Sequence, residues 1–105
     1  MSVAILINFK STDRAPHYIP VSTQGAYHAL WLPAAEKLGL KWVPLFEDGP
    51  VVDVNDLPAL MDEFRQLRDA LADSPKNDSL LERIDWILEE LSGLDLNEVS
   101  EIAIG

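Results

Sequence analysis

The sequence predicts an α+β domain: a small mixed β-sheet packed against about three helices, two of them a helical hairpin. Three observations carry that prediction. "SVAILINF" (2–9) places Val3, Ile5, Ile7 and Phe9 on one alternating face and Ala4 and Leu6 on the other, the pattern of a central strand covered on both sides. Two consecutive segments then carry apolar residues at helical spacing, Leu57, Leu60, Met61, Phe64, Leu67 and Leu71 in one and Leu81, Ile84, Leu88 and Leu91 in the other. The last stretch, "VSEIAIG" (99–105), returns to strand-like residues that seek the sheet begun by 2–9.

The remaining elements are taken in chain order. "KSTDRAPHYIPVS" (10–22) mixes charge, two prolines and hydroxyls without a period and reads as a loop. Ser22 or Thr23 can cap a helix with Tyr27, Leu30, Trp31, Ala34 and Leu38 on its inward face. Pro33 must kink or restart that helix, and Gly39 stops it. "LKWVPLFE" (40–47) reads as a strand, with Pro44 placing it at an edge or a bulge, so that 2–9, the helix and 40–47 form a right-handed parallel crossover. "EDGP" is turn chemistry and "VVDV" a short strand. Asn55 or Asp56 caps the first hairpin helix, Pro58 fits its first turn, "DSPKND" breaks it, and Asp78 or Ser79 starts the second, which ends at Gly93. A connection this short makes the two helices antiparallel neighbours.

All 105 residues form one domain, enough for a single core that buries roughly two-thirds of the surface of the unfolded chain. There is no cysteine, which removes disulfides, thiolate catalysis and sulfur-ligated zinc and fits a cytoplasmic location. The N-terminus lacks the basic region and cleavage site of a signal peptide, and no stretch reaches the ~20 apolar residues of a membrane span. Residues 1–50 are neutral, whereas residues 51–105 set four basic residues against fourteen acidic ones and carry the entire net charge of −10. Such a field repels nucleic-acid backbones and anionic lipid and speeds encounter with basic partners.

Sites of small-molecule chemistry fare poorly. In "WVPLFEDGPVVDVNDLP" (42–58) a calcium loop begun at Asp53 fails with Leu57 at its fifth position, Pro58 at its sixth and Phe64 at its twelfth. Its acids have turn and helix-start roles instead. His17 and His28 lie near Ser11, Asp13, Tyr18 and Ser22, which leaves a small enzyme or metal-binding protein built on residues 13–28 as the alternative reading. No nucleophile elbow, HExxH or glycine-rich phosphate loop supports it, so neither catalytic nor metal-ligating residues nor a cofactor are expected.

Trp86 is the residue that stands out. It lies two positions from inward-facing Ile84, a rotation of about 200°, and so falls on the polar face with Glu82, Arg83, Glu89 and Glu90 at three and four residues. An exposed tryptophan ringed by acids suits an anchor for a basic surface. The competing placement buries it under the 10–22 loop, under the first helix or in a homodimer contact. Asp62, Glu63, Gln66, Asp69 and Asp73 make a second, solvated acidic face, within which Arg65 can pair with Asp69.

Size, acidity, "LWLPAAEKLGLKWVPLFEDG" and "LPALMDEFRQL" together resemble the small immunity proteins of bacterial polymorphic-toxin systems. The resemblance implies a role, stoichiometric inhibition of another protein, and transfers no binding residue. The expected function is therefore a non-enzymatic protein-binding module that inhibits a basic partner, a toxin in the immunity case. Trp86, Glu82, Glu89, Glu90, Asp62 and Asp69 are its expected contact residues, and a homodimeric structural subunit is a further possibility.

Overall fold

In the computed structural model, which describes residues 2–105, the chain begins with strands β1 (Ser2–Phe9) and β2 (His17–Thr23). Helix α1 (Gln24–Ala26), a five-residue π-helical segment (Tyr27–Trp31) and α2 (Leu32–Leu38) then run end to end. A 3₁₀ helix (Val43–Asp48) leads to β3 (Val51–Val52), the paired helices α3 (Leu57–Leu71) and α4 (Asp78–Ser92), and finally β4 (Val99–Ile104). The architecture is α+β, one four-stranded sheet in the order β2-β1-β4-β3 with the helices packed on one of its faces.

Several expectations are corrected. Every strand pairing is antiparallel, so the sheet is not mixed and the parallel crossover does not form. Part of the expected 10–22 loop is strand β2: Ile19 and Val21 alternate inward around Pro20, which tolerates its place because β2 is an edge. Segment 40–47 is not a strand. Pro44 sits in the first turn of the 3₁₀ helix, where its missing N–H is not needed, and Val43 and Phe46 turn inward three residues apart.

β1 is central as expected, pairing with β2 from Ser2 to Ile7 and with β4 from Ile5 to Phe9. The register places Val3, Ile5, Ile7, Ile19, Ile102 and Ile104 on the face the helices cover, all at most 3% exposed. α3 delivers Leu57, Leu60, Phe64 and Leu67 to this core as its stripe predicts. α4 delivers Ile84, Ile87 and Leu91, while Leu81 and Leu88 are half-buried at its flank.

The first helical region differs in phase from its prediction. Tyr27, Trp31 and Ala35 are buried, and Leu30 and Leu38 are exposed. The π turn, closed by the Leu32 N–H donating to the Tyr27 carbonyl, holds one extra residue per turn. One extra residue rotates the rest of the helix by about 100°, which gives Ala35 the place an uninterrupted α-helix gives Ala34. The turn comes just before Pro33, which then occupies the first turn of α2. Thr23 caps the region by accepting from the Ala26 N–H at 3.1 Å, and Gly39, at φ +70°, ends it in the left-handed conformation a side chain resists.

Tyr27 links this region to the 3₁₀ helix, its buried hydroxyl donating to the Val43 carbonyl at 2.6 Å. Burial, with the nearby Glu47 carboxylate adding, pushes its pKa up to about 12 from 10.0. A raised folded-state pKa contributes stability that is complete below pH 10.0 and lost as pH climbs toward about 12. Tyr27→Phe is expected to cost about 1 kcal/mol at neutral pH and to abolish that alkaline loss. Urea midpoints measured at stepwise rising pH check this, the gap between variant and wild type closing only above pH 10.0.

Candidate partner-binding surface

α3 and α4 form the expected hairpin. A 3₁₀ turn (Pro75–Asn77) joins them, and the Asn77 side chain donates to the Leu71 carbonyl at 3.1 Å, closing the end of α3. The apolar stripes of both helices face the sheet, which leaves their opposite faces outward. Helical spacing puts Asp62 and Asp69 on the outer ridge of α3, two turns or about 10 Å apart, and Glu82 and Glu89 on that of α4. All four are exposed. Asp62 accepts from Gln66 one turn on at 2.9 Å.

Two of the hairpin's arginines are tied down. Arg68 reaches across the seam to Asp85 with two hydrogen bonds, Nε to Oδ1 at 2.5 Å and Nη2 to Oδ2 at 3.2 Å. The Asp85 carboxylate raises the Arg68 pKa above its already high value, so this arginine stays charged while its charge is matched inside the fold. The expected Arg65–Asp69 pair is absent among the described residues. Arg83 turns toward the sheet, donating to the Pro20 carbonyl at 3.4 Å and lying 5.0 Å from the Trp86 ring centroid.

Trp86 is accordingly half-buried rather than exposed. It points outward by helical spacing, but its indole is large enough to fold back against the core, with Arg83 laid over one side. Glu82 and Glu89 share its face. Glu90 does not: it turns to β2 and faces His17 at 3.6 Å. The structure thus brings Trp86, Glu82 and Glu89 together, sets Asp62 and Asp69 on the neighbouring ridge, and removes Glu90 to the flank.

Glu63 is the largest departure from the expected solvated face. It is 6% exposed, and its carboxylate accepts the backbone N–H groups of Lys41, Trp42 and Val43 at 3.0 to 3.2 Å. These are the N–H groups that enter the 3₁₀ helix, where no carbonyl of the preceding chain reaches them. The sequence did hold a signal. Glu63 lies three residues after Leu60 and four before Leu67, on the flank of the buried stripe rather than opposite it.

The 13–28 region does not converge on one centre. His17 faces Glu90, whereas His28 Nε2 lies 2.7 Å from Glu47, a separate carboxylate that Gln24 also approaches at 3.4 Å. Arg14 pairs with Glu98 and stacks over Phe9 at 3.8 Å. A shallow cleft of about 300 Å³ lies between Phe9, Arg14, His17, Glu90 and Leu94, and its charged groups are already matched with one another or with Glu98. Among the described residues, no group of three or more His, Asp or Glu side chains is spaced to hold a metal, and no helix is long and apolar enough to cross a membrane. No protein-family model, curated protein or solved structure matches the chain in the comparisons made with each.

Proposed function

We propose that the chain is a non-enzymatic protein-binding module that inhibits a basic partner stoichiometrically, in the manner of an immunity protein, through the outer face of the α3–α4 hairpin. One observation carries the reading. The carboxylates of Asp62, Asp69, Glu82 and Glu89 are exposed and, among the described residues, none is in an ion pair; Arg68 is committed to Asp85 and Arg83 to Pro20 and Trp86, which leaves Arg65 as one exposed cation against four exposed carboxylates. Charge left unmatched on a rigid face is available to an incoming basic surface, and its field accelerates encounter. Trp86 adds an apolar edge beside the acids that a partner can cover, the residue type most enriched where binding energy concentrates.

Affinity capture from the source cell followed by titration tests this. The expected partner is basic, binds one to one, and weakens at least roughly tenfold as NaCl rises from about 50 to about 300 mM. Lysine at positions 62, 69, 82 and 89 together is expected to abolish binding, and Trp86→Ala to weaken it roughly tenfold or more. A captured partner that binds both variants as tightly as wild type removes this face from the account.

A further inference from the structure

Asp48–Gly49 is the one place in the chain where an aspartate or asparagine is followed by glycine. Both residues are exposed. Asp48 ends the 3₁₀ helix, and Gly49 leaves it at φ +67°, the left-handed conformation that turns the chain toward β3. Other aspartates have their carboxylates occupied: Asp53 and Asp95 each accept a backbone N–H two residues on, Asp62 the Gln66 amide and Asp85 the Arg68 guanidinium. Asp48 enters no ion pair among the described residues.

We propose that Asp48 is a self-modification site, isomerising to isoaspartate through a cyclic imide closed by the Gly49 nitrogen. That nitrogen attacks the side-chain carboxyl carbon of Asp48, a C–N bond forms, and the nitrogen's proton leaves with the carboxyl hydroxyl as water. Water then opens the five-membered imide. Attack at the side-chain carbonyl restores aspartate, whereas attack at the main-chain carbonyl breaks the original peptide bond and leaves the chain running through the side-chain carbons, with the main-chain carboxylate pendant. No atom is gained or lost overall, and nothing but water takes part.

Two features of the fold leave this route open. Ring closure needs a nitrogen free of its hydrogen bond, and the Gly49 N–H is held by one contact, to the Phe46 carbonyl at 3.3 Å, at the last turn of a 3₁₀ helix. Helix ends fray, and 3₁₀ hydrogen bonds are poorly aligned to begin with. Closure also needs close approach at the following residue, where glycine has no side chain to hinder it. Asp73, the nearest rival, is exposed in the turn after α3 but is followed by Ser74, which has one.

The product acts on the sheet edge. Pro50, directly after the turn, accepts the Ile104 N–H at 3.0 Å, and β3 is only Val51 and Val52, paired with Ala103 and Ile102. An extra backbone atom just ahead of so short a strand moves it out of register with β4, while the charge at position 48 is kept.

Incubation of the folded chain at neutral pH and body temperature, sampled over weeks, provides the test. Electron-transfer fragmentation of proteolytic peptides locates isoaspartate, and methylation by an isoaspartate-specific carboxyl methyltransferase counts it. Accumulation is expected at position 48, roughly tenfold or more above that at Asp73. Its rate is expected to lie within several-fold of that in the same chain unfolded in urea, because only a fraying helix end has to open. Asp48→Glu, which can close only a six-membered ring, is expected to remove the product at this position, and Asp48→Asn, which closes the same five-membered ring with loss of ammonia, to form it faster. In the aged chain the Ile104 amide proton is expected to exchange roughly tenfold faster or more than in the fresh one. Position 48 unmodified in the folded chain while the urea-unfolded chain reacts there overturns the proposal, as does a larger yield at Asp73. Unchanged Ile104 exchange in the modified chain overturns the effect on β3.

Discussion

Glu63→Ala is expected to lower the free energy of unfolding by about 3–4 kcal/mol, a large part of the roughly 5–15 kcal/mol that holds a domain of this size together. The cost has an identifiable source. Three successive backbone N–H groups, of Lys41, Trp42 and Val43, converge on this one carboxylate, and the Val43 group is buried. Truncation leaves them without an acceptor just where the chain turns from α2 into the 3₁₀ helix. Glu63→Gln keeps one side-chain acceptor oxygen at that position and is expected to recover about half of the loss. Denaturant unfolding of the wild type and both variants measures it. A loss below about 1 kcal/mol for Glu63→Ala would mean that water or a local rearrangement satisfies those groups instead.

Phe64→Ala, one residue further along α3, is expected to cost about 3–5 kcal/mol for a different reason. Phe64 is fully buried between two aromatic neighbours, Trp31 edge-on at 6.1 Å and 86° and Phe46 tilted at 6.1 Å and 48°. Phe46 in turn stacks on Tyr27 at 6.3 Å. Removing the ring forfeits its own transfer from water and leaves a cavity that side chains held from two other elements, the π-helical segment and the 3₁₀ helix, cannot close together. Phe64→Leu, which fills much of that space, is expected to lose less than half as much. Guanidinium unfolding provides the comparison. Equal losses for the two variants would show that the ring contacts, rather than the filled volume, hold this junction.

How much of the fold was legible in the sequence depended on whether one element or two set the outcome. The stripes of α3 and α4, the central place of β1 and the return of 99–104 to the sheet follow from periodicity within single segments. β2 was hidden because Pro20 interrupts a very short alternation, and a proline is acceptable there only once the strand is known to be an edge. Residues 42–46 carry a tryptophan, a valine and a phenylalanine that favour strands, yet tertiary context overrides that preference, with Glu63 holding the first N–H groups of a 3₁₀ helix. The phase of 24–38 turned on a single π turn, which no apolar pattern announces.

The candidate surface divides along the same line. Asp62, Asp69, Glu82 and Glu89 are outward as their spacing on single helices requires. Trp86, Glu90 and Glu63 depart from expectation because each answers to a neighbour from elsewhere in the fold: the core beneath Trp86, His17 on β2, and the backbone at 41–43.

The strand order also sets a timetable for folding. β1 lies between β2, which begins fewer than ten residues after it ends, and β4, whose Val99 pairs with Phe9. The β1–β2 hairpin and the α3–α4 pair can each collapse from local contacts within microseconds, but the sheet gains its third strand only when a loop of nearly the whole chain closes. Until then β1 presents an unpaired apolar edge, and on a ribosome it does so through synthesis of everything between residues 10 and 98. The acidic helices emerge during that interval, and their like charge opposes association of neighbouring nascent chains while the edge waits.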